Sequence, residues 1–264
     1  MQNFQTFTTT TGGPMRPGGM QPIAAWDNQK DPRSDFHSWW YLRHTFRVME
    51  HLASLNLPLK NKRILEISAG IGDLTTFFLD RGCTVDATDS RPENLAMLKW
   101  RFEKEMTGLR FFFLDLEHPA TSDLRRDEKY DIVFNFGVLY HLANPKESLE
   151  FLSPFAKELF LLETCVSMGS DESINLVKEE KAHFSQAMHG TGCRPTRPWI
   201  YNQMKRHFPH VYMPTTQPNW KNFITDWEAQ ESGTPLTRSI FIGSHKPLDN
   251  PLLFEGIPMK QTKH

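Results

Sequence analysis

Three acidic residues and two glycines lie at or near the ends of apolar segments, and these residue types suit ligand binding. Glu66 lies inside the apolar segment "RILEI", and Gly70 and Gly72 follow it in the turn "SAGIG". Asp89 follows "TVDAT", and Asp115 follows "RFFFL". Glycines between a strand and a helix let backbone N–H groups approach a ligand, and carboxylates accept hydrogen bonds from ammonium, hydroxyl and amine groups. The pattern therefore predicts a site for a small polar ligand.

The turn excludes two common phosphate sites. A P-loop needs a lysine that this turn lacks, and a dinucleotide-binding turn needs a third glycine where Thr75 stands. Glu66 would repel a pyrophosphate but attract an ammonium group. Asp89, nineteen residues after Gly70, can accept both hydroxyls of a ribose, and Asp115 can accept an exocyclic amine. An amino acid, a ribose and an adenine make up S-adenosylmethionine, which we expect as the cofactor.

The segment from about Asn61 to Val166 resembles the class I S-adenosylmethionine-dependent methyltransferases. "LEISAGIG" is similar to the family's first motif, acid-x-Gly-x-Gly-x-Gly, with Ser68 in place of the first glycine. "GVLYHLANP" is similar to the segment after the fourth strand in many members, including wobble-uridine tRNA methyltransferases. The resemblance implies that Glu66, Ser68, Gly70 and Gly72 surround the methionine end, Asp89 the ribose, and Asp115 and Leu116 the adenine, with Ala69, Ser90 and Asn135 completing the set. An ordinary tight turn with capping aspartates would show some of the same residues.

Methyl transfer needs an aligned acceptor and, for a hydroxyl or amine, a group that removes a proton. The crevice of such a sheet should lie where the segments after Ile67 and Phe134 face each other. His141 is the candidate general base because its usual pKa is close to neutral, although it could instead brace its loop or stack on the cofactor. Tyr140 is a candidate for contacting the methyl group or the acceptor, and Glu163 for orienting the acceptor. Alternatively, Tyr140 only packs in the core and Glu163 caps the next segment.

Candidates for acceptor binding come from two other segments. Arg194 and Arg197 in "GCRPTRPW" carry guanidinium groups that suit carboxylates, phosphates and sugar hydroxyls, or they form ion pairs or carbonyl contacts that fix the loop. Tyr41, beside Trp39 and Trp40, could form a lid or only pack a helix onto the core. We expect no metal site, because no carboxylate or cysteine stands at ligand spacing from the histidines considered, which are His183, His189, His207 and His210.

The composition is that of a globular protein without a strongly charged partner. The chain has 264 residues, 39% of them hydrophobic, and a formal net charge of −1. No basic run indicates a nucleic-acid partner, and no apolar run is long enough to span a membrane. Cys83, Cys165 and Cys193 are widely spaced and odd in number, as expected for the reduced thiols of a cytoplasmic protein.

Short strands and helices alternate from Lys62 onwards and predict the fold class. We expect an α/β protein with a Rossmann-like, doubly wound and mostly parallel sheet, and an antiparallel pair at its C-terminal edge. The resemblance implies the seven-stranded methyltransferase fold. Residues 1–30 are predicted to be a flexible Thr/Gly/Pro-rich tail, and residues 31–248 the methyltransferase domain, with acceptor-side elements at about 167–237. Residues 249–264 are predicted to be a loose C-terminal tail.

These observations predict an enzyme that methylates a small molecule, such as a sugar or a natural-product hydroxyl. A tRNA or other RNA methyltransferase is the alternative, and it would need a basic groove. A non-catalytic subunit that binds S-adenosylmethionine and supports a partner would keep the same cofactor residues. Thr75 and Glu66 disfavour a nicotinamide oxidoreductase. The sequence does not identify the acceptor atom.

Overall fold

Strands and helices alternate along most of the chain. The computed structural model describes residues 31–103, 107–228 and 236–264, so the predicted tail at 1–30 lies outside the described residues. The helices are α1 (Arg33–Phe36), α2 (Trp39–Ser54), α3 (Thr75–Leu79), α4 (Pro92–Arg101), α5 (Pro145–Leu152) and α6 (Arg197–Lys205). The strands are β1 (Arg63–Glu66), β2 (Thr84–Asp89), β3 (Leu109–Phe113), β4 (Tyr130–Phe136), β5 (Ala156–Val166), β6 (Leu176–Lys178), β7 (Thr191–Cys193), β8 (His210–Pro214), β9 (Thr216–Gln217), β10 (Thr237–Ser244), β11 (Leu253–Phe254) and β12 (Thr262–Lys263).

Within the described part of the chain, eight strands form the central sheet in the order β11-β8-β10-β5-β4-β1-β2-β3. The strands from β5 to β3 in this order are parallel, whereas β10 runs antiparallel to both β5 and β8. The predicted fold class is therefore confirmed. The direction of chain progression across the sheet reverses between β1 and β4, and a crevice is expected at the carboxyl ends of these strands.

Apolar side chains cover both faces of the sheet. Successive residues of β1 point to opposite faces, so Ile64 belongs to the apolar cluster that includes Phe78 of α3, while Leu65 belongs to the cluster that includes Leu149 of α5. Val48 of α2 belongs to the same cluster as Ile64. The helices on both faces hold the strand ends in place. No helix in the described ranges has the length and apolarity needed to cross a membrane.

Residues 249–264 do not form the predicted loose tail. β11 pairs with β8 at the edge of the main sheet, and β12 pairs with β9. Gln261 is buried, its amide nitrogen donates to the Pro214 carbonyl (2.7 Å), and its amide oxygen accepts a hydrogen bond from the Trp227 indole (3.0 Å). These backbone and amide contacts join residues that are far apart in the sequence, so no local pattern in the segment predicts them.

Two helix starts are capped differently. The chain turns at His37 between α1 and α2, and Ser38 caps α2 by accepting a hydrogen bond from the Tyr41 amide (3.3 Å). The residue before α4 is Arg91, and its side chain makes no capping bond.

The turn after β1 needs backbone conformations that favour glycine. Ser68, Gly70 and Gly72 have φ values of 52°, 58° and 86°. A Cβ on Gly72 would also lie 2.6 Å from side-chain atoms of Leu98 and Phe102. Gly72 therefore lets α4 pack tightly against the turn.

We predict that Gly72→Ala destabilises the protein more than Gly137→Ala does. Gly137 has a similar φ of 80°, but a Cβ there would meet no atom within 4 Å. The left-handed backbone costs about 1–2 kcal/mol in either variant, and the clash adds about 1–3 kcal/mol only at Gly72. Urea denaturation measures both free energies of unfolding. Equal losses in the two variants would contradict the packing role of Gly72.

Candidate active site

The carboxyl ends of β1 to β4 line a cleft of about 700 Å³, which includes the open space at its mouth. A smaller hollow of about 380 Å³ adjoins this cleft and shares Phe36, Tyr41, Ser68 and Phe136 with it. Between them, the cleft and the hollow bring together eleven of the predicted site residues: Tyr41, Glu66, Ser68, Ala69, Gly70, Asp89, Ser90, Asp115, Leu116, Tyr140 and His141.

Asp89 joins the end of β2 to the turn after β1. Its Oδ2 accepts a hydrogen bond from the Gly70 amide (2.9 Å), and its Oδ1 accepts from the Arg91 amide (2.9 Å) and the Asn94 side chain (3.1 Å). A carboxylate offers about four acceptor positions, so about one remains for a ligand hydroxyl. Asp89 can therefore accept one ribose hydroxyl without losing a partner, rather than both. Burial raises the pKa of Asp89 to about 6.

Glu66 lies deeper, in the hollow beside the cleft. Its carboxyl is 1% exposed, and the Thr75 hydroxyl donates to its Oε2 (2.6 Å). Burial raises the pKa of Glu66 to about 8. A positively charged ligand group in this hollow would favour the ionised form of Glu66.

Asp115 lies at the opposite end of the cleft, and protein donors already bind both of its carboxylate oxygens. Oδ1 accepts a hydrogen bond from the Glu117 amide (3.0 Å). Oδ2 lies 3.0 Å from His118 Nδ1 and 2.9 Å from His189 Nε2. Burial raises the pKa of Asp115, but the bonds with His118 and His189 outweigh it and hold this pKa below its usual value.

His141 pairs with a carboxylate that the sequence analysis missed. Its Nδ1 is hydrogen-bonded to Glu179, which leaves Nε2 as the nitrogen that could take a proton. Arg194 donates to the other oxygen of Glu179 (3.1 Å) and to the Tyr140 carbonyl (3.0 Å), so it fixes this pair instead of lining the cleft. Burial lowers the pKa of His141, although the bond to Glu179 opposes this effect.

Tyr140 is held by a buried ion pair behind the cleft. The Arg238 guanidinium donates to the Tyr140 hydroxyl (2.8 Å) and to both carboxylate oxygens of Glu163 (2.9 and 3.0 Å). Glu163 is 1% exposed and does not line the cleft, so it does not contact an acceptor as expected. Burial raises the pKa of Tyr140, which keeps its phenol neutral and able to donate a hydrogen bond. An arginine inside the buried strand "TRSIF" was the available sequence signal for this pair.

Three further predicted residues also lie outside the lining of the cleft. Gly72 packs behind the turn, and Asn135 is fully buried in β4. The guanidinium of Arg197 donates to the Pro258 carbonyl (2.8 Å) and lies 3.6 Å from the centre of the Trp227 ring. Arg197 therefore anchors the C-terminal segment, whose packing the sequence analysis did not predict, through a carbonyl contact.

One loop covers part of the cleft. Five residues of the segment 184–189 line it, and they connect to the rest of the domain through polar contacts. Arg91 donates to the Gln186 carbonyl (3.2 Å), and the Ser185 amide donates to Asp35 (3.3 Å). The loop lies in the region 167–237, where acceptor-side elements were expected.

We predict that Glu66→Gln gains stability relative to the wild type as the pH rises from about 5 to 8. Because the folded-state pKa of Glu66 is raised to about 8, the folded protein holds a proton that the unfolded chain has lost. The contribution of this group is fully present below its unfolded pKa and is lost as the pH rises through its folded pKa, by up to about 1.4 kcal/mol per pH unit. Denaturant unfolding at several pH values measures the difference.

The exposed Glu147→Gln variant controls for the loss of one surface carboxylate. A stability difference between Glu66→Gln and wild type that stays constant with pH would contradict the predicted protonation of Glu66.

Comparisons with known proteins identify the family of this chain. A family model described as "Methyltransferase domain" matches residues 41–208, well over half of the chain. The chain is 26% identical over 161 residues to a tRNA U34 carboxymethyltransferase of Vibrio vulnificus (strain YJ016). The matched region covers 58% of the chain and 46% of that relative. It is 31% identical over 93 residues to a ubiquinone biosynthesis O-methyltransferase of Cereibacter sphaeroides (strain ATCC 17025 / ATH 2.4.3), which covers 35% of the chain and 36% of that relative. The chain thus spans about half or less of these relatives.

The fold is similar to that of solved methyltransferase structures. The N-terminal domain of EvdMO1, solved with S-adenosylhomocysteine bound, superimposes with a TM-score of 0.56 at 16% identity, over 76% of this chain and 81% of that one. At this level of identity the similarity supports the fold. From the family match, which the fold supports, the chain belongs to the methyltransferase domain family.

Proposed function

We propose that this enzyme transfers the methyl group of S-adenosylmethionine to a small molecule, such as a sugar or a natural-product hydroxyl. One observation carries the proposal. The carboxylates expected to bind the cofactor line the cleft and its adjoining hollow, and the His141–Glu179 pair lies in or directly behind the same cleft. A donor site and a candidate base in the same cleft are the two requirements for methylating a hydroxyl.

Residues of the cleft and the hollow would hold the cofactor in this proposal. Glu66 would pair with the ammonium group and would be ionised in the bound state. Asp89 would accept a hydrogen bond from one ribose hydroxyl at its remaining position, and Asp115, beside Leu116, would accept one from the adenine amine. The Gly70 amide is engaged by Asp89, so this bond shapes the turn around the methionine end.

The transfer is an in-line displacement. The acceptor oxygen attacks the methyl carbon, the carbon–sulfur bond breaks, and its electron pair returns to sulfur to give S-adenosylhomocysteine. His141 Nε2 takes the hydroxyl proton, and the ionised Glu179 stabilises the imidazolium that forms. Tyr140 and Tyr41 line the cleft and are candidates for holding the acceptor.

The charge of the cleft supports a small acceptor. Among the described lining residues, Asp89, Asp115 and Glu117 carry acidic side chains. Arg91 is the arginine among them, and it donates to a carbonyl of the covering loop. Phosphate groups are attracted by Lys and Arg and would be repelled by these carboxylates.

The free, buried cysteines support the proposed cytoplasmic location.

We predict that Asp89→Asn weakens the binding of S-adenosylhomocysteine by roughly 10- to 150-fold, because a hydrogen bond to a charged group contributes about 1.5–3 kcal/mol. Isothermal titration calorimetry measures the affinity, with NAD and ATP as ligands that should not bind. Asp123→Asn, an exposed carboxylate after β3, is the control and should bind like the wild type. Unchanged affinity in Asp89→Asn would remove Asp89 from the site.

We predict that His141→Gln lowers kcat by about 10²- to 10⁴-fold without weakening cofactor binding. Glu179→Gln should lower kcat by at least about tenfold and shift the acidic limb of the pH profile to lower pH, because Glu179 raises the pKa of His141. The assay measures the release of S-adenosylhomocysteine. The acceptor is supplied by a fraction of a cell extract that contains small molecules and supports turnover by the wild type. Full activity of His141→Gln would exclude His141 as the base. If activity appears only when a partner protein is present, and persists in His141→Gln, this chain would instead be a non-catalytic subunit.

A second candidate acceptor is tRNA, as the name of the Vibrio relatives suggests. One structural observation favours it: Trp39 and Phe46 of α2 are 75% and 61% exposed. Arg43 lies 5.4 Å from the Trp39 ring and 5.5 Å from the Trp220 ring. Aromatic rings and arginines together suit unpaired bases. The test measures the incorporation of labelled methyl groups into bulk tRNA. If the wild type labels tRNA and Trp39→Ala loses this activity while it still binds the cofactor, tRNA is favoured over a small molecule as the acceptor.

A further inference from the structure

We propose that Asp115, His118 and His189 bind a divalent transition-metal ion such as Zn²⁺. The three side chains offer one carboxylate oxygen and two imidazole nitrogens, and these ligand atoms all lie within 4.8 Å of one another. Two histidines and a carboxylate form a common zinc ligand set, in which a fourth position stays open to water or a ligand.

The two distances from Asp115 to the histidines fit this ion after a small expansion. Asp115 Oδ2 lies 3.0 Å from His118 Nδ1 and 2.9 Å from His189 Nε2. Tetrahedral ligands about 2.1 Å from zinc lie about 3.4 Å apart. The two Asp115–histidine pairs therefore separate by a few tenths of an ångström when the ion replaces the two hydrogen bonds, and the two imidazole nitrogens already lie within 4.8 Å of each other. The protons on His118 Nδ1 and His189 Nε2 move to the other ring nitrogens, so both imidazoles stay neutral.

The surroundings suit an entering ion. The side chains of His118 and His189 are 62% and 38% exposed, so the ion can reach them from solvent. The Asp115 carboxylate is 10% exposed, and the Glu117 amide fixes its other oxygen (3.0 Å). Such a hydrogen bond orients a ligand carboxylate behind the metal.

The sequence hides this arrangement because His189 and Asp115 are 74 residues apart. His118 lies close to Asp115 in the chain, but a single carboxylate and histidine pair is common without a metal. Only the loop that covers the cleft completes the set, since His189 belongs to it.

The metal would also influence the cofactor. Zinc on Oδ2 neutralises the Asp115 carboxylate and makes it a weaker acceptor for the adenine amine, so each ligand should weaken the binding of the other. This coupling rests on the proposed function, whereas the metal site itself does not.

The test is calorimetric titration of the metal-free, tag-free full chain with ZnCl₂ in a buffer that does not coordinate metals. We expect one ion per chain. The zinc affinity should fall by about tenfold or more in His118→Gln and in His189→Gln. His183→Gln is the matched control, because His183 is also half-exposed near the covering loop but meets a single carboxylate, that of Asp35 (3.5 Å). Its affinity should equal that of the wild type. Circular dichroism confirms that each variant is folded.

No zinc binding by the wild type, or equal binding by the wild type, His118→Gln and His189→Gln, would overturn the proposal. A second titration with S-adenosylhomocysteine, with and without zinc, measures the coupling. If zinc binds but S-adenosylhomocysteine does not bind even without it, the proposed function fails and the metal site stands.

Discussion

The hydrogen bond from the Gly70 amide to the Asp89 carboxylate joins the ends of two neighbouring parallel strands, and the cleft depends on it. It fixes the turn after β1, where Ser68 and Gly70 hold left-handed backbone conformations. The partners of Asp89 also set the start of α4, because Asp89 accepts a hydrogen bond from the Arg91 amide. One buried carboxylate thus shapes the turn and presents an acceptor to the cleft.

The carboxylates along the cleft differ because their partners differ. Glu66 has one hydroxyl donor in a buried hollow, and its pKa is raised. Asp115 has two imidazoles and a backbone amide, and its pKa is lowered. Such differences let one site hold a neutral acid at one end and an ionised carboxylate at the other. A charged amino group would suit the first only after the acid ionises, so cofactor binding is linked to pH.

The sequence predicts the parts of this protein that depend on local order. Alternation of strands and helices predicts the sheet, and glycine and carboxylate positions at strand ends predict the cofactor half of the cleft, because parallel strands end at the same edge. The rest depends on contacts between distant residues. Glu179 lies 38 residues from His141, and Arg238 lies 98 residues from Tyr140. No local pattern marks such pairs. The sequence therefore left open whether Arg194 binds an acceptor or forms an ion pair, and it did not identify Glu179 and Arg238 as the partners of Arg194 and Glu163.

The most direct test of the central claim is a crystal structure of the protein with S-adenosylhomocysteine. The account predicts that the ligand lies along the cleft, with its amino group at Glu66, one ribose hydroxyl within hydrogen-bond distance of Asp89, and its adenine beside Asp115 and Leu116. A ligand bound elsewhere, or in this cleft with its ends reversed, would contradict the account.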